Sequence, residues 1–310
     1  MSRLCVQSTA TRDRLRAVLP DSPMAATATV WQDLRQIPAT AGEIELWVPP
    51  PFVRVEDQLR DAVAAMPRLA VIQTISAGVD RILPFVPERA ILCDARGVHG
   101  SGTAEWALTA ILSVLREFPR FERARQEHRW DEAVTEELAG RRVLVIGAGD
   151  VGRQLARRLV ACDAEPVLVA RSARDGVHGL SELPGLLPQA DVVVLLVPLT
   201  SETTGLVGAG FLARMRDGAL LVNGARGPVV DTGALLAELR TGRLRAALDV
   251  TDPEPLPTDH PLWSAPNLLI TPHVGGAVLG LTERFVSLLA AQVSRYESGE
   301  PLRNQVLGEY

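Results

Sequence analysis

The chain contains no lysine: arginine supplies all 32 of its basic side chains. That absence excludes any chemistry built on a lysine amine. Genomic codon bias suffices to account for it. Cysteine is scarce as well. Cys5, Cys93 and Cys162 are odd in number, far apart and outside any metal-ligand spacing. They read as buried reduced thiols, which suits a cytoplasmic protein, and no metal site is expected. No uninterrupted apolar stretch approaches the roughly 18 residues of a membrane span. The start, MSRLCVQSTA, lacks the apolar run of a signal peptide. With a net charge of -5 and no single-sign charge run, there is no basic footprint for nucleic acid either. The expectation is a soluble cytoplasmic protein without membrane or nucleic-acid partners.

What is present is an ordinary globular composition, 47% hydrophobic and 22% charged, over 310 residues. That length is long for one domain and comfortable for two. Short apolar blocks, Val71–Ile75, Val143–Ile146, Val167–Ala170, Val192–Val197, Ala219–Val222 and Leu268–Ile270, read as strands. Their lack of polar alternation predicts burial on both faces, as in parallel sheets covered by helices. Helical patterns fall between them, at Gly152–Cys162 and Thr232–Thr241 for example, so the fold class is α/β. Glycine-rich RGVHGSG (96–102) precedes a helical pattern over Thr103–Phe118, and another, Leu281–Tyr296, follows Gly275-Gly276. This order predicts a central domain, residues 99–281, inserted into an outer one made of 1–98 and 282–310.

In VLVIGAGDVG a strand runs into Gly147-Ala148-Gly149-Asp150-Val151-Gly152 and then a helix. The spacing is G-x-G-x-x-G in its strand–turn–helix setting. Gly147 permits the tight turn, Gly149 the approach of a pyrophosphate, and Gly152 close helix–strand packing. The helix start adds free N–H groups and a positive dipole end. About 20 residues on, dinucleotide folds place an acid that binds the ribose hydroxyls. Here the second strand ends at Ala170-Arg171-Ser172, with Arg174 nearby. An acid repels a 2′-phosphate, whereas a guanidinium fork pairs with one. Arg171, Ser172 and Arg174 therefore favour NADP(H), with NAD(H) the alternative. An exposed loop arginine in an arginine-rich chain is the plain alternative to that role.

Three later strings place polar residues just after buried strands: LLVNGARGPVVD, ALDVTDPEPLP and LLITPHVGG. Together with LAGRRVLVIGAGDVGRQLARRL and DVVVLLVPLTSETTGLV they resemble the D-isomer specific 2-hydroxyacid dehydrogenases. The glyoxylate/hydroxypyruvate reductase branch is the most similar. The likeness runs from about Thr103 to Gly276 and is weaker before Val71 and at the C-terminal tail. It implies two Rossmann/flavodoxin-like parallel-sheet domains, the cofactor domain inserted into a split substrate domain, and a homodimer formed through the former.

The resemblance also implies roles. Arg226 would bind the substrate carboxylate and polarise the keto oxygen. His273 would be the general acid in reduction and the base in reverse, since an imidazole has an ordinary pKa of about 6.5. Glu254 would bond the other ring nitrogen, orienting it and favouring its protonated form. Asp249 would hold the nicotinamide carboxamide. Val151, Val197, Pro198 and Thr203 would line the adenine and pyrophosphate, although Val197 and Pro198 also suit a core. Ala225, Gly275 and Gly276 would offer backbone to the nicotinamide. Ser76, Ala77 and Gly78 match a loop whose N–H groups grip the substrate carboxylate, with Ser76 standing where the family usually has glycine. Trp47 would wall the substrate pocket or, equally, fill a core. His99, His128, His178 and His260 lack such context.

The expected reaction is NADPH-dependent reduction of a small 2-keto acid to the D-2-hydroxy acid, within a cleft that closes over the substrate. Three rivals share the scaffold. Formate dehydrogenases carry glutamine where this chain has Glu254. A phosphite-oxidising enzyme keeps the arginine, glutamate and histidine. A non-catalytic dinucleotide-sensing corepressor needs none of them.

Overall fold

Short apolar blocks do become parallel strands, in two separate sheets. The computed structural model describes residues 3–51 and 56–308. The first sheet contains β1 (Arg3–Val6), β2 (Thr29–Val30), β3 (Ile44–Trp47), β4 (Val71–Gln73) and β5 (Ile91–Cys93), in the order β2-β1-β3-β4-β5. Successive side chains point to opposite faces. Leu4, Val6, Leu46 and Val71 pack with Phe285, Leu289 and Val293 of the helix Leu281–Ser298. Cys5, Trp47, Ile72 and Leu92 pack with Leu59 and Ala62 of the helix Glu56–Ala64.

The second sheet contains β6 (Arg142–Ile146), β7 (Glu165–Ala170), β8 (His178–Gly179), β9 (Val192–Leu195), β10 (Leu220–Asn223), β11 (Arg245–Leu248) and β12 (Leu268–Ile270). Its order is β12-β11-β10-β9-β6-β7-β8, all parallel. Leu144, Ile146, Val193, Leu195 and Leu221 enter one core, and Val143, Val145, Val192, Val194, Leu220 and Val222 the other. Both faces are covered, which is why these strands are apolar without alternation. Each fully buried aliphatic side chain contributes about 1.5–3 kcal/mol.

Two compact units result. One comprises the chain up to His99 and from Leu279 onward; the other is Gly100–Val278. The expected α/β class, with one parallel-sheet unit inserted between two segments of another, is the architecture adopted. The helical pattern read over Thr103–Phe118 starts earlier and stops sooner, as Gly100–Leu115. Glu117 turns left-handed (φ 53°), which separates this helix from a second, Phe118–Gln126. Pro119 sits in the first turn of the second, where its missing N–H is not needed. Among the described residues, no helix is long and apolar enough to cross a membrane.

The turn after β6 shows why two of its glycines are required by the protein itself. Gly147 has φ 121°, and a Cβ on it would strike the Leu196 carbonyl group. A Cβ on Gly152 would strike the Gly147 carbonyl oxygen, so the helix Asp150–Val160 can pack this closely only with glycine there. Gly152→Ala is therefore expected to destabilise the protein by about 1–3 kcal/mol through overpacking. Urea unfolding reads this directly, and an unchanged midpoint would contradict the close packing.

Candidate active site

Strands β10, β11 and β12 are neighbours, and Asn223, Leu248 and Ile270 end them in register. Arg226, Glu254 and His273 all lie just past these carboxyl ends, the edge where open α/β sheets bind ligands. His273 Nδ1 lies 2.9 Å from Glu254 Oε1, with both side chains mostly buried. The carboxylate accepts, so Nδ1 donates. The loop carrying Glu254 is fixed by Thr251, whose hydroxyl donates to the Pro253 carbonyl at 2.9 Å. His273 itself is left-handed at φ 55°, an unfavourable conformation for a side chain of this kind.

Asp249 supplies the restraint. Only 4% exposed, its Oδ1 accepts from Thr271 Oγ1 (2.6 Å) and Val274 N (2.9 Å), and its Oδ2 from Gly275 N (2.8 Å). Its backbone carbonyl accepts from His273 N at 2.7 Å. Asp249, expected as a nicotinamide ligand, is thus first of all a brace for the His273 turn. Three of a carboxylate's four or so acceptor positions are taken, leaving one on Oδ2. Trp106, on the helix Gly100–Leu115, donates from Nε1 to Thr271 Oγ1 at 2.9 Å, and its ring lies against Gly224 and Gly275. Neither Trp106 nor Thr271 was identified from sequence, because their relation to Asp249 exists only across three separate segments.

Asn223, also unidentified, organises the loop of Arg226. Its Oδ1 accepts from Ala225 N (3.0 Å) and its Nδ2 donates to Arg226 O (3.0 Å). The Ala225 N–H is therefore committed inside the loop, and its carbonyl accepts from Arg226 Nη1 at 2.8 Å. What remains for a ligand at Ala225 is the carbonyl's second lone pair. Gly276 accepts at its carbonyl from Val278 N.

At the glycine loop, a Cβ on Gly149 would meet nothing within 4 Å. The protein's own packing does not demand glycine there. Asp150 directs its carboxylate toward Gln154, which donates to it at 3.0 Å, and toward Gly100. Its side chain is thus directed at the chain's own residues. Val151 and Val197 are partly buried against the two cores, and Pro198 is exposed. Thr203 is buried, donating to Pro198 O (2.7 Å) and accepting from Thr200 N (2.8 Å). Its hydroxyl shapes the loop.

Arg171, Ser172 and Arg174 are exposed at the end of β7. Arg174 Nη2 donates to Ala148 O of the glycine loop at 3.4 Å. Arg171 Nε pairs with Glu202 Oε2 at 2.8 Å. Glu202 is a further residue that sequence reading passed over, since it lies 31 positions away on the loop after β9.

In the other unit, Ser76 Oγ donates to Gly78 O and Thr74 Oγ1 to Ser76 O, both at 2.7 Å. Ser76 thus closes the 76–78 loop on itself. Nearby, burial pushes the Asp94 carboxyl above its ordinary range, opposed by hydrogen bonds and charge from Arg96. Trp47 is fully buried, packed with Trp31 at a ring separation of 5.9 Å. It belongs to the core, one of the two positions the sequence left open for it. His99 donates to Ile75 O, His178 pairs with Glu182, and His260 Nδ1 accepts from Leu262 N.

The brace generates a prediction. Thr271→Val removes the hydroxyl between Trp106 and Asp249, and should cost about 1–3 kcal/mol in stability by leaving the indole N–H unpaired. Thermal unfolding of the variant measures this; an unchanged midpoint would remove Thr271 from the brace.

Residues 108–275 match the family described as D-isomer specific 2-hydroxyacid dehydrogenase, NAD binding domain. A glyoxylate reductase from Thermofilum pendens is 33% identical over 255 residues, covering 77% of this chain and 75% of that protein. A D-3-phosphoglycerate dehydrogenase from Archaeoglobus fulgidus is 32% identical over 79% of this chain. The match covers 49% of that relative, so the chain spans about half its length. Among solved structures, a D-isomer specific 2-hydroxyacid dehydrogenase from Xanthobacter autotrophicus, in complex with NADPH and MES, has 31% identity and a TM-score of 0.82 over 98% of each chain. An NADPH-dependent glyoxylate/hydroxypyruvate reductase from Sinorhizobium meliloti, in complex with NADP and sulfate, has 26% identity and a TM-score of 0.81. That likeness covers 99% of this chain and 98% of the other. The chain belongs to the D-isomer specific 2-hydroxyacid dehydrogenase family, whose members are NAD(P)-dependent oxidoreductases acting on the CH–OH group of donors.

Proposed function

We propose that this protein reduces a small 2-keto acid, of the glyoxylate or hydroxypyruvate kind, to the D-2-hydroxy acid with NADPH. The observation that carries this reading is the 2.9 Å contact between His273 Nδ1 and Glu254 at the carboxyl edge of the sheet. With Nδ1 donating to a carboxylate, proton exchange with substrate falls to Nε2. In its protonated form Nε2 delivers a proton to a keto oxygen, and in the reverse direction it takes one back. Arg226 presents a planar fork that suits a substrate carboxylate. Gly100–Val278 is then the cofactor domain and the other unit the substrate domain.

The residues fit a nicotinamide dinucleotide. Open space at Gly149 and the start of the helix Asp150–Val160 accommodate a pyrophosphate. Asp249 and Ala225 each retain an acceptor position for a carboxamide. Arg171, with Ser172 and Arg174, supports NADP(H) over NAD(H), because a guanidinium attracts the 2′-phosphate that an acid would repel. When bound, NADPH supplies the hydride. The relatives named as glyoxylate reductases support the substrate class. A cytoplasmic homodimer built through the cofactor domain belongs to the same reading; light scattering reads the mass directly.

His273→Ala should lower kcat for glyoxylate by about 10²–10⁴-fold while the protein still binds dinucleotide. Glu254→Gln should lower it by about 10–100-fold, as expected when the group orienting an imidazole is weakened. Near-normal turnover by His273→Ala would overturn the assignment. Titration with each cofactor tests the other half: NADPH should bind more tightly than NADH, and Arg171→Ala should weaken NADPH selectively.

A further inference from the structure

The arginine that selects the cofactor is already occupied by a carboxylate of the same chain. β7 and β9 lie on either side of β6, so the loops after them flank the glycine loop. Arg171 stands on one and Glu202 on the other, and their 2.8 Å ion pair joins the two. Both loops are anchored. Thr203 and Thr204 donate to Pro198 O and Thr200 O, each at 2.7 Å, fixing the turn that carries Glu202. Arg174 bonds Ala148 O and pairs backbone to backbone with Val177, fixing the other. The two interacting side chains themselves are about half exposed, at 52% for Arg171 and 57% for Glu202.

This inference rests on the NADPH reading and deepens it. We infer that Glu202 is a specificity-determining residue that competes with the cofactor's 2′-phosphate for the Arg171 guanidinium. An ion pair this exposed is weak and opens easily. A phosphate, with more charge and more acceptor oxygens than a carboxylate, displaces Glu202 from Arg171. Opening that pair sets a cost against NADPH binding. NADH brings no phosphate to that position, so the pair stays closed and its binding carries no such penalty. Glu202 thus holds the NADPH preference below what Arg171 alone would confer.

The test is fluorescence titration of NADPH and NADH with the wild-type protein, Arg171→Ala, Glu202→Gln and the double variant. Glu202→Gln should tighten NADPH binding about fivefold, the scale of one exposed ion pair, and leave NADH within about twofold. In the Arg171→Ala background the same substitution should change NADPH binding by less than about twofold, because the contested group is gone. An unchanged NADPH-to-NADH ratio in Glu202→Gln overturns the role of Glu202. An equal gain with and without Arg171 overturns the competition and leaves only distant repulsion. If Arg171→Ala binds NADPH as tightly as the wild type, the cofactor reading itself fails, and Glu202 with it.

Discussion

The turn that presents His273 is wrapped around the carboxylate of Asp249. Left-handed backbone at a residue such as His273 costs on the order of 1–2 kcal/mol and persists only where its surroundings over-determine it. Asp249 provides that over-determination. Its side chain accepts three hydrogen bonds from Thr271, Val274 and Gly275, and its carbonyl accepts the N–H of His273. Those donors offset the desolvation of a carboxylate that is almost wholly removed from water. The strained turn in turn delivers the ring of His273 to Glu254. Without Asp249 the backbone would relax, and the imidazole would lose the partner that defines its donor and acceptor nitrogens.

That arrangement depends on the sheet. Because β10, β11 and β12 end in register, the loops bearing Arg226, Glu254 and His273 begin at one level. The ladder is held by apolar residues on both faces, so the edge is a fixed platform and chemistry is confined to the loops beyond it. The same logic applies at β6, where the clash-limited Gly147 and Gly152 set the turn and Gly149 leaves room for a ligand.

Much of this was legible in the sequence because it is local. A glycine spacing after an apolar block, or a charged residue just past a strand, can be read along one stretch of chain. The residues that were missed act across stretches. Trp106, Thr271 and Asp249 meet from a helix and two strand ends, and only folding brings their polar atoms together. Thr203 and Trp47 both occur in suggestive motifs, and for Trp47 the sequence left a pocket wall and a core position equally open; burial commits the hydroxyl of one to its own loop and the ring of the other to a core. The short strands β1, β3 and β5 also escaped notice. They are held by pairing with strands distant in sequence.

Burial also separates two kinds of electrostatics in one domain. Asp249 interacts where solvent is nearly absent, so its hydrogen bonds are strong and breaking one leaves a polar group stranded. That suits a part whose geometry must not vary between turnovers. Arg171 and Glu202 interact in contact with water, where screening makes their attraction small and exchange of partners inexpensive. On the proposed reading, that suits a part that admits and releases a charged ligand. A buried arginine–glutamate pair at the same place would resist entry of a phosphate, since separating it would leave an unpaired charge in a poorly solvated site. On the proposed reading the choice of arginine also matters: its fork would offer a 2′-phosphate two parallel donors where lysine offers only a point charge. The position that elsewhere requires an acid is therefore shared here between an arginine and a carboxylate from the facing loop, and solvent keeps that sharing reversible.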